Sequence, residues 1–588
     1  MTRRTNEKRT GSAKIALRFL FPLPVSLFFF FSFFFFPVTE TYLGNAADYT
    51  VPFSTLAGAL LPFVCGAALL VAVLVGLLPA RARVAASAGL FLLGLVAWVQ
   101  SVFLNGRMIS MTGEEERYST ALVAGNLALI LGLLSVGALA VVLLIRRGAA
   151  GKIATATLFL SILLLLMQTV GTVSGAVADR KEEKPSVSRY LTAEGETTLS
   201  ADGNVVVFLL DFTPGTYVNR AREAYPDLFD GLDGFTYYPD ALPHYSRTYP
   251  SVPYLLTGIP CKFDLPYAEY VNLAGNTGTF LPDMKEKQVS IGVYTNDYFV
   301  GDGLFDLLEN VSREGDARAY SATGLARYSL PLALKRVAPY LFKSSIHYDV
   351  GNINVRSLTV SAAAPSDEET FYRRLTEDGL SLNDGEGSFR FFHFWGPHPG
   401  ARLRADATLA ESPTSEEEAL KGDFKIISAY IAELKRLGIY DKTTIVITTD
   451  HADSALSAPS GKLDVIRSSD ILMMVKPAEK VEGFEVSDAK ICHDDLFATV
   501  YDGLGLDASR YGAPIYGIPS GERTRTLYYT GLFSDLDGEI GLLEYRVTGD
   551  ARNVNNYVWT GNAWDVAYSY NRVSETEFTP SLMEADGE

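Results

Sequence analysis

The chain has 588 residues, 48% hydrophobic and 20% charged, with a net charge of −17 and a mean hydropathy of +0.12. Nucleic acid phosphates repel so acidic a chain, which excludes nucleic acid as a partner class. A positive mean hydropathy beside that much charge excludes an even spread of apolar residues, and three cysteines exclude a disulfide-framed fold. Cys65 falls in an apolar stretch, and Cys261 and Cys492 are compatible with one bridge or with two thiols.

The first elements, 19–38, 53–78, 84–104, 121–145 and 153–173, are apolar runs without a single Asp, Glu, Lys or Arg. Each reaches the roughly 20 residues that carry a helix across a bilayer, where a helix satisfies its own backbone groups. Five transmembrane helices are predicted, forming a membrane domain over 1–178. Lys and Arg are retained on the cytoplasmic side of short loops. Arg3, Arg4, Lys8, Arg9 and Lys14, then Arg81 and Arg83, then Arg146, Arg147 and Lys152 therefore mark the inside. Glu40 and Asp48, and Glu114, Glu115 and Glu116 against Arg107 and Arg117, mark the outside. A multi-pass protein of the plasma (inner) membrane follows, with everything after the fifth span extracytoplasmic. The first span shows no small-residue cleavage site, so no cleaved leader is expected. Residues 1–184 hold 16 Lys and Arg against 9 Asp and Glu, a net +7, which leaves −24 on the remainder.

Residues 179–203 are polar and charge-rich and read as a linker. At Asn204 a folded domain begins, predicted to span 204–517. The apolar run 205–210 has the length and β-branched character of a strand buried on both faces, as in a parallel sheet. Further strands are predicted at 289–294, 389–394, 443–448 and 471–475. A helix is predicted at 423–437, with Phe424, Ile427, Ile431 and Leu434 on one face and Gly438 as its stop. Strands alternating with helices imply a wound α/β sheet. Residues 518–588 change to short aromatic strands (527–530, 543–547 and 557–560) between Asp, Gly and Asn turns, and read as a β-rich C-terminal appendage.

In an open parallel sheet, ligands gather beyond the carboxyl ends of the strands. Two such ends carry carboxylates: the first strand runs into Asp211, and 443–449 runs into Asp450 and His451. Oxygens of this kind and an imidazole suit a divalent ion. Alone, each is an ordinary turn or cap residue. A third segment, Ser246-Arg-Thr-Tyr-Pro-Ser-Val-Pro253, has Ser251 placed as a helix cap, which sets Thr248 just before a helix N-terminus that favours negative charge. A hydroxyl is a weak nucleophile until a base or a metal activates it.

Together, Asn204-Val-Val-Val-Phe-Leu-Leu-Asp211, Leu232-Asp-Gly-Phe-Thr-Tyr-Tyr-Pro239, Thr248-Tyr-Pro-Ser-Val-Pro253 with Leu255-Leu-Thr-Gly258, and Thr448-Thr-Asp-His451 resemble the sulfatase-like branch of the alkaline phosphatase superfamily. In layout the chain resembles lipoteichoic acid synthases and phosphoethanolamine transferases, with five membrane helices before an α/β sandwich-type catalytic domain. The resemblance implies Thr248 as nucleophile and Asp211, Thr248, Asp450 and His451 as ligands of one divalent ion, zinc or manganese. It implies His398, in Phe389-Arg-Phe-Phe-His-Phe-Trp-Gly-Pro-His398, as a residue facing the transferred phosphate; Arg247, which flanks the nucleophile, is a further substrate-binding candidate, as is His493, which resembles the family's late His-Asp element, where capping or supporting a neighbour is expected ahead of catalysis. His393 is expected to be buried on its strand, and His244 flanks the nucleophile.

The sequence departs from the family in four places. No Cys-x-Pro-x-Arg or Ser-x-Pro-x-Arg is present, which removes the formylglycine nucleophile of sulfatases. Ala452 stands where a glycine is usual, the paired cysteines of phosphoethanolamine transferases are missing, and the residues around Tyr294 lack the phosphoglycerol-contacting His and Arg. The function implied is transfer of a phospho-group, of the phosphoglycerol or phosphoethanolamine type, from a membrane phospholipid to an envelope glycan or lipid through a phosphothreonine. The rival readings are a membrane-tethered phosphodiesterase or sulfatase-like hydrolase, and a non-catalytic receptor or scaffold on the same fold.

Overall fold

The computed structural model describes residues 18–46, 49–105, 118–181, 189–265, 267–312, 319–348, 350–359, 365–452, 470–533 and 539–562. The basic residues ahead of residue 18, the loop charges Asp48 and those at 107–117, residues 182–188 of the linker and the tail from 563 lie outside the described residues. The chain divides into two units, Met1–Val187 with Ala317–Val360, and Ser188–Asp316 with Ser361–Glu588.

In the first unit five helices are long and apolar enough to cross a membrane: α1 (Arg18–Gly44), α2 (Phe53–Leu77), α3 (Ala80–Leu104), α4 (Thr120–Arg146) and α5 (Ala150–Ala178). Leu129, Leu131, Val136 and Leu139 of α4 are exposed, as side chains facing hydrocarbon are. The sequence reading places 317–360 within the α/β domain, but this stretch packs on the helical bundle. Leu325, Leu332 and Ile353 share one buried cluster with Phe35, Tyr42, Leu56 and Leu60. The Thr50 amide donates to Asn354 Oδ1 at 3.0 Å.

The second unit is built on strands β1 (Thr198–Ser200), β2 (Asn204–Leu210), β3 (Thr236–Tyr237), β4 (Ala241–Leu242), β5 (Ser290–Tyr294), β6 (Ser381–Asn383), β7 (Ser388–Phe394), β8 (Thr443–Thr448), β9 (Met473–Lys476), β10 (Glu485–Val486), β11 (Ile491–Cys492), β12 (Thr524–Phe533), β13 (Glu539–Thr548) and β14 (Tyr557–Asn562). The main sheet has the order β10-β3-β9-β8-β2-β7-β5. β2, β5, β7 and β8 run parallel, while β9 is antiparallel to β8 and to β3. The sheet is thus mixed but mostly parallel at its centre. β2 is buried throughout because its side chains feed two cores. Val205, Val207 and Leu209 enter one cluster; Val206, Phe208 and Leu210 enter the other. Phe208 stacks on Phe392 with centroids 5.3 Å apart.

The helix predicted at 423–437 begins earlier, at Glu416, where the Ser415 side chain accepts from the Glu418 amide, and it ends at Gly438 with φ +70°. The C-terminal appendage is an antiparallel sheet, β12-β13-β14. Cys261 and Cys492 are free, buried thiols.

Candidate active site

The site lies at the carboxyl ends of three neighbouring strands, where an open parallel sheet gathers its ligands. Asp211 follows β2, Asp450 and His451 follow β8, and His393 sits at the end of β7, paired with Leu209. Two backbone features bring these ends together. Phe212 adopts φ +56°, an unusual conformation for a bulky residue. It turns the Phe212 amide toward Asp450 Oδ1 (3.2 Å) and the Thr213 amide toward Thr449 Oγ1 (3.0 Å). On the other side Gly396, at φ +60°, lies so close to the Asp211 backbone that a Cβ there would stand 2.6 Å from the Asp211 carbonyl oxygen. This glycine lets the loop bearing His398 cross over Asp211.

Thr248 is the first residue of the helix α6 (Thr248–Thr257), with Arg247 as N-cap. This differs from the expected Ser251 cap: Ser251 is buried inside the first turns and donates to the Tyr245 carbonyl at 3.4 Å. The first turn tolerates Pro250 because its amide has no intrahelical partner there, so the helix starts earlier and places Thr248 in the field of its N-terminus. Thr248 Oγ1 lies 3.0 Å from His451 Nε2. His451 Nδ1 bonds the Ala452 carbonyl at 2.5 Å and so carries the proton, which leaves Nε2 with a lone pair toward the threonine. Ala452 needs no left-handed conformation, so the glycine usual at this position is not required.

His451 Nε2 is 3.5 Å from Asp450 Oδ2 and 3.8 Å from Asp211 Oδ1, and His393 Nε2 is 3.7 Å from Asp211 Oδ2. One donor atom each from Asp211, His393 and Asp450 lies within 4.8 Å of the others. Asp211 Oδ1 and Asp450 Oδ2 are buried without a hydrogen-bond partner. A buried carboxylate oxygen is costly unless it is paired or bound to a cation. Two of them aimed into one cluster with an imidazole lone pair fit a divalent ion of the zinc or manganese kind. Burial and the neighbouring Asp450 push Asp211 up to about 7, against the pull of His398 and His451. Burial also disfavours charge on Asp450, yet His451, His393, the Thr248 hydroxyl and the Phe212 amide hold it below the usual carboxylate range. Two like groups this close divide one proton unequally.

The remaining sequence candidates separate. His398 is buried, with its ring edge-on to Phe212 at 5.5 Å between centroids, and acts electrostatically on Asp211. Arg247 is half-buried beside Thr248. His493 is fully buried, with Nε2 bonded to the Thr449 carbonyl at 2.9 Å and Nδ1 accepting from the His244 amide at 3.3 Å. Both ring nitrogens are committed to backbone, and the ring ties the metal-side loop to the nucleophile-side loop. His244 in turn bonds Asp494 Oδ1 through Nδ1 at 2.7 Å. His393 is the residue that sequence reasoning left in the core. Its only sequence signal is its place at a strand end beside the Gly-Pro-His398 loop.

By sequence the chain matches no family model and no curated protein. By structure it is similar to solved members of the alkaline phosphatase superfamily. A protein of that superfamily from Vibrio parahaemolyticus has 11% identity over 64% of this chain and 85% of its own, with a TM-score of 0.38. A lipoteichoic acid synthase from Listeria monocytogenes has 12% identity over 62% and 87%, with a TM-score of 0.33. A phosphonate monoester hydrolase from Silicibacter pomeroyi has 15% identity over 63% and 90%, with a TM-score of 0.35.

Proposed function

We propose that the chain transfers a phospho-group from a membrane phospholipid to an envelope glycan or lipid, by way of a phosphothreonine at Thr248. The observation that carries this reading is the Thr248 hydroxyl itself. It opens a helix, 3.0 Å from the lone-pair nitrogen of His451, beside two carboxylates with buried, unpartnered oxygens. Asp211, Asp450 and His451 would hold a divalent ion with Thr248, His393 standing beside them; when bound, it supplies the positive charge that lowers the threonine pKa and offsets phosphate charge.

Thr248 Oγ1 attacks phosphorus and forms the new P–O bond as the bond to the lipid oxygen breaks. The Thr248 proton is lost to solvent as that bond forms, and the departing diacylglycerol oxygen takes up a proton from solvent. An acceptor hydroxyl then attacks the phosphothreonine, gives up its proton and restores Thr248. The N-terminus of α6 favours the extra negative charge in both steps. Covalent storage means that donor and acceptor need not share the site. Five apolar helices keep the domain close to its lipid donor and raise the donor's effective concentration.

The test is to incubate the full-length protein with labelled phospholipid, with and without a glycan acceptor. Transfer predicts diacylglycerol release and acceptor-dependent turnover, both lost in Thr248→Ala. Release into water at the same rate without acceptor would replace the transferase by a phosphodiesterase. Unchanged release by the variant would remove both.

A further inference from the structure

Among the buried carboxylates that the proposed reaction does not use is Glu368. It stands at the first position of helix α7 (Glu368–Asp378), where Asp367 caps the helix by accepting from the Thr370 amide at 2.8 Å. The cap is thus supplied without Glu368. Its side chain is buried on the same helix face as Phe371 and Leu375, three and seven positions on.

Glu368 Oε1 accepts from the Trp395 amide at 2.5 Å, and one turn along α7 the Phe371 ring packs against Phe394 with centroids 5.7 Å apart. The pairing of β7 with β2 ends at Phe394. Glu368 therefore takes the place of a strand neighbour for the Trp395 amide, with a bond strengthened by the carboxylate charge. The other side of that same peptide group, the Phe394 carbonyl, accepts from the Asp211 amide at 3.1 Å. A peptide group is planar, so the Phe394–Trp395 plane is gripped on one edge by the backbone of Asp211 and on the other by Glu368.

The turn bearing His398 begins at that plane. Gly396, at φ +60°, closes onto the Asp211 backbone. The His398 amide donates to the Trp395 carbonyl at 3.4 Å, and the His398 carbonyl accepts from the Ala401 amide at 2.8 Å. The Trp395 and His398 rings meet edge to face, with centroids 4.8 Å apart. His398 is thus oriented by Trp395, and the direction in which Trp395 leaves β7 is set by the peptide plane that Glu368 holds.

We infer that Glu368 is a positioning residue for His398: its carboxylate fixes the Phe394–Trp395 peptide plane and, through it, the turn that carries the imidazole. The inference rests on the proposed phospho-group transfer and on His398 facing the group transferred. It adds to that reading a residue that acts only through the turn it holds.

The experiment uses the full-length, zinc-loaded protein with labelled phospholipid and acceptor, and follows hydrogen exchange of the peptide covering 389–401 in the same samples. Glu368→Ala should lower kcat about tenfold, the value of one charge-assisted hydrogen bond, and leave KM for the lipid within about twofold. Glu368→Gln keeps an acceptor oxygen and should return to within about threefold of wild type. Added to His398→Ala, Glu368→Ala should cost less than about a further twofold, because the two residues act as one unit. Exchange at the Trp395 amide should be about tenfold faster in Glu368→Ala and near wild type in Glu368→Gln, with 204–210 unchanged in both. Losses that multiply in the double variant, a Gln variant as impaired as the Ala variant, or Trp395 exchange unchanged by Glu368→Ala would overturn the inference. A wild type that releases no diacylglycerol counts against the transfer reading instead, and Trp395 exchange then decides whether Glu368 holds the turn. If Glu368→Ala fails to fold, Glu368→Asp, which withdraws the carboxylate by one methylene, replaces it in both measurements.

Discussion

Replacing Asp211 by Asn should stabilise the metal-free protein at neutral pH even as it removes a metal ligand. In the fold, burial and the charge of Asp450 raise the Asp211 carboxyl from 3.8 to about 7. A difference of roughly three pH units corresponds to about 4 kcal/mol. The sign follows from which state holds the proton. Below about pH 4 both states are protonated and Asp211 contributes no difference. Between about 4 and 7 the unfolded chain releases a proton that the folded chain keeps, so stability falls as pH rises, and the full cost is present above about 7. Asp450 is shifted the opposite way, below its usual range, so its contribution is lost only at still lower pH. In chelator, wild type and Asp211→Asn should therefore melt together near pH 4, and the variant should melt several degrees higher at pH 7.5. A zinc or manganese salt should stabilise wild type far more than the variant. An offset between the two proteins that is the same at every pH would refute the reasoning, as would wild type gaining on the variant with rising pH.

Arg525 and Asp240 form a fully buried pair, 2.9 Å apart, that ties the C-terminal sheet to the segment leading into Thr248. Arg525→Met leaves Asp240 buried without its main counter-charge and should cost about 3–5 kcal/mol in thermal or urea unfolding. The His493 imidazole is held neutral by burial, down to about 4 from 6.5. The unfolded chain then takes up a proton between those values that the folded chain refuses. Wild type should lose about 3 kcal/mol as pH falls through that window, and His493→Gln, followed by the same melts, should lack the slope.

β2 was legible because a strand buried on both faces reads as an unbroken apolar run, β8 because Thr, Ile and Val are all β-branched, and the end of the long helix because Gly438 supplies a left-handed stop. Its start was missed although Ser415-Glu-Glu-Glu418 is a capping-box pattern, because the apolar face was traced only from Phe424. Asp211, Thr248, Asp450 and His451 could be proposed together because three of them end strands and the fourth precedes a run of prolines and serine. His393 could not, since which face of β7 meets Asp211 is set by its register with β2. Nor could the left-handed Phe212 or the Asn105–Arg336 contact, which joins residues more than two hundred positions apart and is fixed by packing, not local pattern.

The central claim is that Thr248 becomes phosphorylated by the donor. Rapid quenching of the metal-loaded, full-length protein with phospholipid in the absence of acceptor, followed by peptide mass mapping, measures it directly. The account predicts a phospho-adduct on the peptide containing Thr248, absent in Thr248→Ala and discharged when acceptor is added. Turnover of lipid with no adduct on that peptide at any quench time, or an adduct that survives in Thr248→Ala, would contradict it.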